Sequence, residues 1–170
     1  MRTSDYRPSQ LRQTAVTVRV AIGQNAGLSD VERAALPGRY ESALVEGLNE
    51  RALVVRDVRV RTGPESPAAA AARATEVGAD HAIVVDVRIE PDVVRVCEDT
   101  PRPLQGRATV VKQQARVVRA SDAMVRSTLE VDVPAVEADC DARRPSARSQ
   151  GIAATVASAV DRLLARLLRP

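Results

Sequence analysis

Along this chain the spacing of apolar residues switches between two and about four, and that switching limits the folds open to it more than any other feature. Val16, Val18, Val20 and Ile22 recur at every second position, which predicts a strand over residues 14–22. A turn-rich stretch follows. Tyr40, Leu44 and Leu48 then recur every four residues with Ala43 and Gly47 beside them, predicting a helix over 37–51. Proline suits a first helical turn, so Pro37-Gly38 is expected to start or restart it. Residues 53–61 are expected to form a second strand. Ser66-Pro67 is an N-cap followed by a first-position proline, and it opens an alanine-rich helix that stops at Gly78, a residue suited to a left-handed cap.

The second half repeats the switch. A third strand is predicted over 81–97, with Ile83, Val85, Val87 and Ile89 on one face and a bulge or bend at Pro91. Residues 107–120 and 124–133 form a hairpin about Ser121-Asp122-Ala123, dry on one face and wet on the other. After a polar loop, the last helix carries Ile152, Val156, Val160, Leu163, Leu164, Leu167 and Leu168 on one side. Docking onto the sheet is the plain reading of that stripe; a membrane-surface or partner helix would normally carry a more basic polar face.

Connection rules turn this order into a topology. Two helical crossovers join parallel strands and the hairpin adds antiparallel ones. The expected fold is α/β, a three-layer sandwich of order β-α-β-α-β-β-β-α, with a mixed five-stranded sheet of order 2-1-3-4-5 and strand 4 antiparallel. Residues 1–13 are polar, aperiodic and contain Pro8, so they are read as a flexible N-terminal lead to a single α/β domain over 14–170. The lead suits a tether left by signal-peptide removal and a natural cytosolic start equally well.

Composition removes several function classes. There is no Phe or Trp, and Tyr6 and Tyr40 are the aromatic residues, so the core is aliphatic and platforms for stacking bases are missing. Net charge is +3, no basic run exceeds Arg143-Arg144, and Lys112 is the one lysine among 25 basic residues, which argues against a dedicated polyanion groove. No stretch approaches the roughly 20 consecutive apolar residues of a membrane helix.

The chemistry-bearing residues are few. Gly23-Gln24-Asn25-Ala26-Gly27 follows a strand but lacks the spacing and Lys-Ser/Thr ending of a phosphate loop. Two cysteines and His81, without any Cys-x-x-Cys spacing, cannot supply a four-ligand metal site. Asp80, Asp86 and Glu90 read as solvated charge. No catalytic, cofactor-binding or metal residue is predicted, and the chain is not expected to be an enzyme. Cys97 ends the third strand and Cys140 lies just past the fifth, which the 2-1-3-4-5 order brings out at one end of the sheet, two strand spacings or roughly 10 Å apart. Residues 133–140 can cover that distance. A Cys97–Cys140 disulfide, tying the outer strands of a three-stranded unit across the middle one, is the favoured reading, with two unrelated thiols or a reactive thiol as the alternatives.

The run Glu76-Val77-Gly78-Ala79-Asp80-His81-Ala82-Ile83-Val84-Val85 resembles the helix-end, Gly-Ala-Asp and strand segment of bacterial envelope proteins related to the TolB amino-terminal domain and the curli-secretion lipoprotein. Gln114-Ala115-Arg116-Val117-Val118-Arg119-Ala120-Ser121-Asp122, followed by Val125-Arg126-Ser127, is similar to their hairpin, although Ala123 stands where glycine is usual. Over roughly residues 14–168 the resemblance implies an anticodon-binding-like fold. It lacks the long amphipathic insertions of the curli pore. What it implies is a non-enzymatic protein-binding or adaptor domain of a bacterial envelope assembly, or the soluble part of a lipoprotein, periplasmic or outer-membrane-associated. Its partners would be envelope proteins or further copies of itself, with no cofactor, no nucleic acid favoured, and membrane contact only through an N-terminal anchor. The second strand is a candidate edge for strand addition. The alternative on the same fold is an RNA-binding domain of the anticodon-binding type, favoured by a pI near 9.4 and disfavoured by scattered charge.

Overall fold

The computed structural model describes residues 1–170. The elements are β1 (Gln13–Ile22), α1 (Asp30–Glu50), β2 (Val54–Val60), α2 (Pro67–Glu76), β3 (His81–Val96), β4 (Leu104–Arg119), β5 (Val125–Pro134), β6 (Val136–Asp139), β7 (Ser146–Ser149) and α3 (Ile152–Leu167). The first five strands form one sheet of order 2-1-3-4-5, with β1 parallel to β2 and β3, and β4 antiparallel to β3 and β5. This is the order the apolar periods predict. The polar loop after β5 is more regular than expected: β6 and β7 pair as a small separate sheet.

Helix α1 begins at Asp30, seven residues before Pro37. The Ser29 hydroxyl oxygen accepts the Glu32 amide at 3.2 Å and the same hydroxyl donates to the Glu32 carboxylate at 3.1 Å. Such a cap satisfies donors the helix leaves free, and Asp30 and Glu32 suit its positive end. Arg33 then ties the first turns to the preceding loop through the Gly23 and Gln24 carbonyls, at 2.9 and 2.7 Å. With Leu36 buried as well, these contacts hold the helix through Pro37 despite the missing amide. Helix α2 starts as the sequence predicts, with Ser66 accepting the Ala69 amide and proline in the first position, and Gly78 beyond its end has φ +71°.

Helices α1 and α3 lie on one face of the sheet over the main core, and α2 lies on the other over a small cluster of alanines and valines. Short side chains on α2 bring it close to Ala15, Ala82 and Val84. The α3 stripe is buried against α1 and the sheet. At Gly47 the two helices meet so closely that a Cβ would stand 2.4 Å from Leu164 Cδ1. One polar network crosses this dry layer: Tyr40 donates to Gln113 Oε1 at 2.5 Å, and Gln113 Nε2 donates to the carbonyls of Val131 and Ala159. Burial raises the Tyr40 hydroxyl far above an ordinary tyrosine.

The N-terminal lead departs from the flexible segment expected. Tyr6 and Leu11 are buried in the main core, and residues 1–3 lie along β5. An aromatic ring and a leucine that find the core outweigh the absence of any local period.

Candidate functional site

Two strands of the sheet are far longer than their neighbours, and that mismatch shapes the molecule. β3 and β4 have 16 residues each, yet β1 stops opposite Ile89 and β5 opposite Val110. Residues 90–96 and 104–109 therefore continue as a two-stranded arm for about 20 Å beyond the sheet. Pro91 lies within it without breaking the register, so the expected bulge is absent. The β1 ladder has already ended opposite Ile89, so the missing amide costs no bond between those two strands.

The structure brings Cys97 and Cys140 together at the arm, Cα to Cα 5.2 Å, with the sulfur atoms bonded. The route is not the simple loop expected, because Cys140 directly follows β6 and the bridge pins the β6–β7 hairpin to the arm. Between hairpin and arm lies an open cleft of about 460 Å³, floored by Val94, Val96 and Leu104 and walled by Val136 and Ala147. The signal for this hairpin in the sequence, Val136 opposite Ser149 and Ala138 opposite Ala147, is too short to separate from a loop.

His81 opens β3, where its Nδ1 lies 2.8 Å from Asp80 Oδ1 and its ring packs 6.2 Å from that of Tyr6. No hydroxyl or thiol bonds to its ring, so this pair orients a histidine without activating a nucleophile. Asp80, Asp86 and Glu90 are likewise kept apart. Asp86 bonds Arg19 at 2.9 Å and Arg61 at 3.0 Å, whereas Glu90 bonds Lys112 at 3.0 Å. No group of three or more histidine, cysteine or carboxylate side chains is arranged to hold a metal ion.

Those pairs belong to a helix-free part of the sheet. Beyond α2, side chains stand in rows across four strands: Arg19, Asp86, Gln114 and Glu130, then Ala21, Arg88, Lys112 and Asp132. Lys112 also reaches Asp92 at 2.7 Å, and hydrogen bonds with Asp92 and Glu90 raise its ammonium above the usual lysine value. Across the two rows Arg19, Arg88 and Lys112 are balanced by Asp86, Glu130 and Asp132, so the face carries little net charge. Both tyrosines are buried, which removes the last stacking surface an RNA site could use.

The sheet's two edges differ. At β5, Arg2 bridges Ser127, the Thr128 amide donates to the Met1 carbonyl at 2.7 Å, the Thr3 amide to the Arg126 carbonyl at 2.9 Å, and Arg166 caps the Glu130 carbonyl at 2.8 Å. The Arg126 guanidinium holds the Asp5 carboxyl below the ordinary aspartate value and fastens the lead there. At β2 nothing is added. Val54 and Val60 are about half exposed, 49% and 48%, and a shallow acidic groove runs between β2 and α1, lined by Glu41, Val45, Glu46, Glu50 and Val58. The sequence marks β2 as an edge, but not this acidic wall, whose glutamates come from a different element.

No protein-family model matches the chain, and no curated protein does. Solved structures do. PelC from Paraburkholderia phytofirmans, a dodecamer, is 14% identical, with a TM-score of 0.51 over 100% of this chain and 95% of that one. A point variant of the same dodecamer is 17% identical, with a TM-score of 0.50 over 98% and 96%. A neuraminyllactose-binding hemagglutinin homologue from Helicobacter pylori is 8% identical, with a TM-score of 0.52 over 96% and 87%. At these identities the likeness is one of fold.

Proposed function

We propose that this chain is a non-enzymatic, extracytoplasmic protein-binding domain of a bacterial envelope assembly, and that it works as a homo-oligomer. The Cys97–Cys140 bridge carries the reading, since such bonds persist in oxidising compartments and are rare in the cytosol. The resemblance of residues 76–85 to TolB-like and curli-secretion proteins supports the envelope, and the likeness in fold to the PelC dodecamer supports assembly from identical subunits. Its binding surfaces are the open β2 edge and the stapled arm. The neutralised polar face and the buried tyrosines weigh against RNA as the partner.

Thiol titration of denatured, unreduced protein recovered from an oxidising compartment tests the compartment. No reactive thiol is expected before reduction and two after it; two free thiols at the outset would overturn the envelope assignment. RNA capture that falls steeply with salt would favour the anticodon-binding alternative.

A further inference from the structure

The open β2 edge and the β6–β7 hairpin stapled to the arm are complementary in a way that a single copy of the chain does not use. Glu41, Glu46 and Glu50 wall the groove beside β2 and none has a basic partner. At the tip of the β6–β7 hairpin, Arg143 and Arg144 are exposed and equally unpaired, and they are the chain's one pair of adjacent basic residues. Every residue of β7, which follows that tip, is exposed.

We propose that the acidic groove between α1 and β2 seats the β6–β7 hairpin tip of a second copy, Arg143 and Arg144 against Glu46 and Glu50. This deepens the homo-oligomer reading above and rests on it. Two copies meeting β2 to β2 would set one row of glutamates against another, which like-charge repulsion opposes. The β5 edge cannot serve, because residues 1–3 and Arg166 already occupy it. What is left joins two different surfaces of the same chain, a heterologous contact of the kind that closes into rings. The tip's guanidinium groups would meet carboxylates at the groove wall while β7 approaches the unpaired side of β2 over exposed Val60.

Sedimentation velocity on the full chain at low salt tests this with three variants: Glu46→Arg with Glu50→Arg, Arg143→Glu with Arg144→Glu, and all four changes together. Either double variant is expected to raise the concentration needed for half-assembly at least about tenfold. The fourfold variant, with charges exchanged, is expected to regain assembly, which loss of folding would not do. A monomeric native chain overturns both the oligomer reading and this contact. An oligomer indifferent to both double variants, or one sensitive at the groove and not at the tip, overturns the contact alone and points to a different interface or a foreign partner. Failure of the fourfold variant to reassemble overturns it as well.

Discussion

At Gly47 the α1 backbone runs against Leu164 of α3 with no side chain between them. Alanine there would gain about 1 kcal/mol in helix propensity but would force a fully buried leucine aside, and overpacking of that kind costs about 1–3 kcal/mol. Gly47→Ala is therefore expected to lower stability by about 1 kcal/mol, read as a fall in the urea midpoint at unchanged slope. In the sequence this glycine only widens an apolar stripe; that it marks the approach of a helix more than a hundred residues away is a tertiary fact. Glu65 tells a similar story with charge. Burial by itself would raise its carboxyl, but Arg73, with help from Thr17 and Arg61, holds it below the ordinary glutamate value. A depressed carboxyl contributes stability that is fully present above the unfolded value of about 4.3 and is lost as pH falls through the lower folded value. Glu65→Gln should flatten the acid limb of the stability curve below about pH 4.3, and should cost about 3 kcal/mol at neutral pH, because Arg73 would keep a buried charge without its partner. Chemical denaturation across that pH range checks both effects.

Among the elements, the arm depends on the covalent bond more than the sheet does. It lies beyond the last residues of β1 and β5, so past the ties at its root, from Thr109 to Ala26 and Ala135 and from Lys112 to Glu90 and Asp92, its two strands have each other and the β6–β7 hairpin for support. On the chain-entropy model the bridge, closing a separation of 43 residues, contributes about 4 kcal/mol. Reduction is expected to speed amide exchange in residues 136–149 and at the arm tip by orders of magnitude, while β1, buried in the middle of the sheet, keeps its protection. Uniform loss of protection across both regions would mean that the arm and sheet unfold as one unit. The strand order and the place of the two cysteines were legible from apolar period and connection rules. The β6–β7 hairpin was not, because four-residue strands with exposed side chains carry too little pattern, and their pairing is settled by a bond between distant residues.

For the whole molecule, the difference between the two sheet edges matters most. One is sealed by the chain's own first residues and the other is bare beside an acidic helix. If this edge seats a second copy as proposed, it fills by mass action, and the melting temperature should rise with protein concentration, in contrast to a monomer whose midpoint is independent of it. Scanning calorimetry over a hundredfold concentration range reads this directly, and a constant midpoint would speak against assembly.

Apart from the β6–β7 hairpin, the sequence by itself determined the kinds of elements and their order, since a period of two or about four says which face of each segment must leave water. It also determined the parallel and antiparallel pairings, because short crossovers have few ways to return to a sheet. Tertiary structure alone decided that α1 runs through Pro37, that Tyr6 anchors a lead with no period of its own, and that Glu41, Glu46 and Glu50 stand free beside an open strand. Each of those outcomes depends on which distant surfaces come into contact and on the apolar area and charge they bring, quantities that no local pattern of residues records.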